Sequence, residues 1–196
     1  MVIIRFIQKT ELLRRVIYLL ADRRAKGLIA VFHEFIGSSA KIIDVGAGVC
    51  NITERLNTEG YETMALDVVN LSMVKGLDPI IYDGQKIPFK DNVFSVGLVI
   101  TVLHHITNQE NLLSEAMRVA QRVIIMEDVY KSKLRRWITF IFDSLFNLEF
   151  RGHPHSNRTD EGWKQLFKDK KYKLVAEKSF SSYLVFSHKI YVLERV

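Results

Sequence analysis

One cysteine, Cys50, stands in a chain of 196 residues. An intrachain disulfide is therefore excluded, which fits a reducing compartment and equally a disulfide-free secreted protein; of the two, the cytoplasm is the expected location. No apolar run reaches the ~20 residues that a membrane-spanning helix needs; the most apolar interior stretches, Ser95 to Leu103 and Trp137 to Phe150, both fall short. A secretory signal is not expected either, because Met1 to Ile7 is apolar with Lys9, Arg14 and Arg15 after it, the reverse of the order in a signal peptide. Internal repeats and low-complexity tracts are absent. Neither sign of charge dominates: 28 Lys and Arg face 22 Asp and Glu, for a net charge of +6. This modest basic excess suits an anionic ligand, nucleic acid or a membrane surface and selects none of them. With 48% apolar residues the chain can bury one substantial core, and residues 1–196 are expected to form one domain.

What is present is an alternation of helix and strand. Between Val2 and Ile36, the apolar residues Ile3, Ile7, Leu12, Val16, Leu19 and Leu20 recur at helical spacing with Arg and Lys between them. This predicts one or two amphipathic helices within residues 1–37. Strands are expected at Lys41 to Val45, Glu62 to Asp67, Ile80 to Tyr82, Phe94 to Thr101 and Arg122 to Met126, and the chain closes with two more at Lys173 to Phe180 and Leu184 to Leu193. Helices fall between them: Asn51 to about Glu59, a short one at Leu71 to Lys75, one opened by a capping box at Thr107 to Glu110, and one capped by Thr159. Phe94 to Thr101 is too continuously apolar for a one-sided sheet and suits the buried middle of a parallel one. The order predicts a doubly wound α/β, Rossmann-like sheet of seven strands. It should be mostly parallel, with helices on both faces and an antiparallel strand at the C-terminal end.

The segment Lys41-Ile42-Ile43-Asp44-Val45-Gly46-Ala47-Gly48 runs a strand into Gly-x-Gly and then a helix. Such a loop lets backbone pass close beneath a ligand, and it also serves as a plain tight turn between strand and helix. Asp67 ends the next strand nineteen positions beyond Gly48, near the ~20-residue offset at which dinucleotide folds place a ribose-binding acid. The continuation Gly48-Val49-Cys50-Asn51 lacks the third glycine that a pyrophosphate needs, which counts against a nicotinamide or flavin fold.

Asp44-Val45-Gly46-Ala47-Gly48, Asp67, Asp83-Gly84-Gln85-Lys86-Ile87-Pro88-Phe89 through Phe94, and Val102-Leu103-His104-His105-Ile106 together resemble class I S-adenosylmethionine methyltransferases. The likeness spans about Ala40 to Glu127 and is nearest to the small-molecule branch that includes quinone-biosynthesis enzymes. The resemblance implies S-adenosyl-L-methionine as cofactor. Gly46, Ala47 and Gly48 would lie against its methionine and ribose, with Asp44 shaping the loop. Asp67 would bind the ribose hydroxyls and Val68 would pack on the adenine. Asp83 would bond the adenine amino group with Gly84 and Gln85 beside it, and Thr101 would follow the fourth strand under the cofactor. Two positions depart from the family pattern: Cys50 replaces the third loop glycine, and Ser95 stands where many relatives have Asp.

Methyl transfer from a sulfonium needs the acceptor positioned and, for some acceptors, deprotonated, so no dedicated base is required. His105 and His153 are the candidate catalytic residues. His104 and His105 either line the acceptor site, or cap the following helix or orient the loop; the segment Arg151 to Thr159 precedes a helix and is a second candidate part of the acceptor site, with His153 or His155 as base and Arg158 gripping an anion. The His153-x-His155 pair has no third ligand at a recognisable spacing, so no metal is expected. Glu127 and Asp128 end the fifth strand and either face the pocket or cap an exposed strand end. An insertion at 131–158, aromatic from Trp137 to Phe150, reads as a lid over an apolar acceptor, a membrane contact made with the N-terminal helix, or a helix packed on the domain. The expected partner is a small molecule, apolar or aromatic, with peripheral membrane contact left open. Nucleic acid is disfavoured because Thr101-Val102-Leu103-His104 is not the Asn/Asp-Pro-Pro-aromatic motif of amino-directed nucleic-acid enzymes. The alternative from another class is a non-catalytic protein that keeps the cofactor pocket or only the fold as a scaffold.

Overall fold

A computed structural model of the chain describes residues 2–38, 40–129, 158–182 and 186–195. Two helices, α1 (Val2–Lys9) and α2 (Glu11–Phe32), lead into β1 (Lys41–Val45), α3 (Asn51–Thr58), β2 (Glu62–Asp67), β3 (Ile80–Ile81) and β4 (Phe94–Ile100). They are followed by α4 (Gln109–Val119), β5 (Ala120–Asp128), α5 (Asp160–Asp169), β6 (Tyr172–Ser182) and β7 (Phe186–Arg195). The seven strands form one sheet in the order β3-β2-β1-β4-β5-β7-β6. Neighbours from β3 to β5 pair in parallel, β7 runs antiparallel to β5, and β6 pairs antiparallel with β7. This is the Rossmann-like architecture expected from the strand and helix alternation.

Apolar residues alternate between the two faces, as the period of a strand requires. Ile43, Val99, Val123, Ile125 and Leu193 pack with Leu113 and Met117 of α4 and Trp163 and Phe167 of α5. Ile42, Leu98, Ile100, Ile124 and Met126 pack with Leu28, Ile29 and Phe32 of α2 and Leu56 of α3. Because both faces are covered, the central strands read as almost unbroken apolar runs.

Two local expectations are corrected. Residues 71–75 are irregular, with a bend at Val74 and a turn at Lys75, rather than a helix. There the Asn70 side chain accepts from the Ser72 N–H, and the Ser72 hydroxyl accepts from the Val74 N–H, a local alternative to helical bonding. The helix after β4 begins one residue later than the capping-box reading. Asn108, not Thr107, is the N-cap and accepts from the Asn111 N–H at 3.2 Å, because Asn shares the strong N-cap preference of Thr. Thr159 does cap α5, its hydroxyl accepting from the Gly162 N–H at 3.1 Å.

Candidate functional site

The chain leaves β1 toward β2 and β3, then returns to β4 on the other side of β1, so the carboxyl ends of β1 and β4 flank a topological switch point. Open α/β sheets bind ligands in the crevice at this place. The glycine loop starts there. Gly46 and Ala47 donate their N–H groups to the Leu66 carbonyl at 2.8 and 3.1 Å, which ties the loop to the end of β2. Gly48 donates to Asp67 Oδ2 at 2.8 Å, while Asp67 Oδ1 accepts from the Val68 and Val69 N–H groups. The acid thus joins the two loops, and its carboxylate oxygens retain lone pairs beyond these three bonds.

The two glycines have different physical reasons. A Cβ on Gly46 would stand 2.6 Å from Val102 Cγ2, so this glycine is required by the loop after β4, with φ at +75°. A Cβ on Gly48 would meet nothing nearer than the Gly46 carbonyl oxygen at 4.0 Å, so it would enter open space, also at positive φ. Asp44 is buried beneath the loop and accepts the Thr53 hydroxyl at 2.7 Å, anchoring the start of α3. Burial pushes its carboxyl up to about 6, and the Thr53 bond opposes that rise. Cys50 occupies the left-handed N-cap position of α3 at φ +64° and is fully buried beside Ala65 and Val74. Burial also pushes its thiol up to about 12.

Val68 is 55% exposed at the end of β2, and its Cγ1 lies 3.3 Å from where a Cβ of Gly84 would be. The two residues assigned to the adenine by resemblance are therefore neighbours, across a separation the sequence does not reveal. Asp83 Oδ1 accepts from the Gln85 and Lys86 N–H groups at 2.8 and 3.0 Å, bonds that hold this exposed carboxylate below its ordinary range. The Gln85 carbonyl accepts from the Asn111 side chain of α4. Arg118 of α4 then fixes the rest of this loop by donating to the Ile87 and Phe89 carbonyls.

After β4, Thr101 has φ +56°, an unusual conformation for a β-branched residue and one that concentrates at functional sites. Its N–H donates to the Met126 carbonyl, and its hydroxyl accepts from Arg24 of α2 at 3.3 Å. Sequence reasoning missed Arg24, since nothing local marks a contact 77 positions away. It likewise missed why Glu127 is acidic. Fully buried, Glu127 accepts from the Val102 and Leu103 N–H groups through Oε1 and meets His104 Nδ1 at 2.6 Å through Oε2. Glu127 therefore organises the loop after β4 rather than capping an exposed strand end. Asp128 is also buried and pairs with His188 at 2.5 Å. His105 is partly buried, its ring centroid 4.0 Å from that of His104.

His153, His155 and all of the 131–158 insertion except Arg158 lie outside the described residues, and Arg158 donates to the Gln109 side chain of α4 at 2.9 Å. Ser95 accepts from the Lys41 N–H near the amino ends of β1 and β4, so this departure from the family pattern stands at the opposite end of the sheet from the crevice. A cleft of about 520 Å³ at those amino ends is lined by Asn92, Ser95, Arg122 and Glu194, away from the glycine loop. Among the described residues no group of three His, Cys, Asp or Glu is placed to hold a metal ion.

Residues 43–123, which include all the loops just described, match the methyltransferase domain family. The match covers less than half of the chain, and over that segment the chain is similar to this family. It is 26% identical over 154 residues to the ubiquinone/menaquinone biosynthesis C-methyltransferase UbiE of Burkholderia mallei, covering 61% of this chain and 63% of that protein. It is 28% identical over 80 residues to an uncharacterised protein of Methanocaldococcus jannaschii, covering 41% of this chain and 39% of that one. The chain therefore spans less than two thirds of the length of these curated relatives. Among solved structures, magnesium protoporphyrin IX methyltransferase from Synechocystis, with bound S-adenosylhomocysteine, superimposes with a TM-score of 0.62 at 15% identity. That match covers 89% of this chain and 83% of the other, and shows the shared fold.

Proposed function

We propose that this chain is a single-domain, cytoplasmic S-adenosylmethionine-dependent methyltransferase acting on a small apolar or aromatic molecule. The observation that carries the reading is the cradle at Gly48. A loop N–H is bound to Asp67, open space lies where a side chain would stand, and exposed Val68 sits against Gly84 at the adjoining strand end. These residues fit an adenosyl cofactor. Gly46, Ala47 and Gly48 would face its methionine part, Asp67 its ribose, and Val68, Asp83, Gly84 and Gln85 its adenine. Asp44 and Thr101 would shape the loops on either side.

When bound, S-adenosylmethionine supplies an electrophilic methyl group. The chain's own task is then to hold the acceptor in line and exclude water. Glu127 fixes His104, and His104 lies against His105, so His105 is held at the border of the crevice. It would orient the acceptor or take its proton. His153 is the other candidate. The match to a UbiE C-methyltransferase supports a small-molecule acceptor over nucleic acid.

A specific observation favours a second reading, a cofactor-binding or scaffold protein without catalysis. Asp67 and Asp83 already accept five backbone N–H bonds between them, so loop geometry alone gives both acids a use. Calorimetric titration with S-adenosylmethionine, S-adenosylhomocysteine and an NADH control separates a cofactor-binding protein from a bare scaffold, and methyl transfer to a panel of small apolar acceptors separates catalysis from binding. Binding of the first two that Asp67→Ala abolishes in a folded protein supports the cofactor reading. No binding at millimolar cofactor sinks it in favour of the scaffold.

A further inference from the structure

Helix α2 is apolar on two opposite sides. Ala25, Leu28, Ile29 and Phe32 of its second half are buried against the sheet and α3. In its first half, Leu12, Val16, Leu19 and Leu20 follow the i, i+4, i+7, i+8 spacing of one helical face, yet they are 73%, 47%, 56% and 68% exposed. The stripe that predicts an amphipathic helix from the sequence thus faces outward. The inward side of this half is held by polar bonds instead: Arg14 donates to the Met73 carbonyl and the Tyr18 carbonyl accepts from Asn51, while Asp22 pairs with Arg55. On α1, Phe6 adds another exposed large side chain.

An apolar row of this kind on water needs an occupant, and the charges beside it select one. Arg15 and Arg23 are exposed at helical spacing from Leu12, Leu19 and Leu20, and neither forms an ion pair with an acid among the described residues. Arg14, by contrast, is occupied at Met73 and is not available to a partner. Leucines between arginines whose stems can lie along an apolar surface while their heads reach phosphate are the pattern of a helix lying in a bilayer interface. We infer that the outer face of α2 docks on an anionic phospholipid surface. Arg24 of the same helix meets Thr101 at the crevice, so docking would bring the proposed site to the membrane. Only that consequence rests on the methyltransferase reading.

Co-sedimentation of the full chain with phosphatidylcholine vesicles and with mixed phosphatidylcholine–phosphatidylglycerol vesicles tests this. The expected result is stronger binding to the mixed vesicles. The L12S/L19S/L20S variant should lose about tenfold in partitioning for each leucine that enters the interface. The R15E/R23E variant should lose at least about fivefold per arginine, on the anionic vesicles alone. All the substituted side chains are exposed, so thermal unfolding and cofactor titration of the variants report folding and the crevice separately. No binding of the parent chain to either vesicle, or undiminished binding of the leucine variant, would overturn the inference. A dimer in sedimentation velocity that the leucine variant dissolves would overturn it in favour of a second copy of the chain. Intact cofactor binding without vesicle binding would defeat the docking alone.

Discussion

Gly46 and Val102, 56 positions apart, meet so closely that a methyl group on Gly46 would stand 2.6 Å from one Val102 methyl and 2.9 Å from the other. The loop after β1 and the loop after β4 are thus packed on each other across the switch point.

This relationship separates two substitutions that look alike in the sequence. Gly48→Ala should cost about 1–2 kcal/mol, the penalty of a left-handed backbone with a side chain. Gly46→Ala should cost about 1–3 kcal/mol more through overlap with Val102, and Val102→Ala should recover part of that excess. Urea unfolding measures both. Cofactor titration should show the reverse ranking relative to stability, with Gly48→Ala losing binding by filling the space beside the loop. Equal destabilisation by the two alanines would refute the packing argument.

Asp44 predicts a pH effect. Its folded-state value of about 6 lies above its ordinary 3.8 because burial penalises the charge. A carboxyl with a raised folded value contributes stability that is present below about pH 4 and lost as pH rises through about 6. Ionisation of this group therefore costs up to about 3 kcal/mol at neutral pH. Asp44→Asn, which can still accept the Thr53 hydroxyl, should match or exceed the parent above pH 6, with the difference closing toward pH 4. Denaturant midpoints across that range check it, and a mutant that is less stable throughout would contradict it.

Glu127 predicts a local effect. Glu127→Gln leaves one acceptor oxygen where His104 and two loop N–H groups now share two. A loss of about 2–3 kcal/mol follows from stranding a buried group, with faster hydrogen exchange at Val102 and Leu103. Unchanged exchange at those two amides would show that the acid does not hold the loop.

Much of this was legible in the sequence because it is written locally. Alternating apolar runs set the strands, Thr159 announced α5, and the spacing from Gly48 to Asp67 marked a pair that the structure joins by a hydrogen bond. The local signals erred where two solutions compete on equal terms. Asn108 took the cap that Thr107 was expected to hold, and the Ser72 turn replaced a short helix.

The sequence by itself determined the order of elements and the doubly wound class, since each follows from periodicity and from signals a few residues long. Only the tertiary structure decided that Gly46 answers to Val102, that Glu127 is a buried anchor for His104, and that the leucines of α2 face outward. Helical spacing says which residues share a face, but not which way the face points. Burial, and contacts between residues far apart in the chain, exist only once the sheet has brought them together.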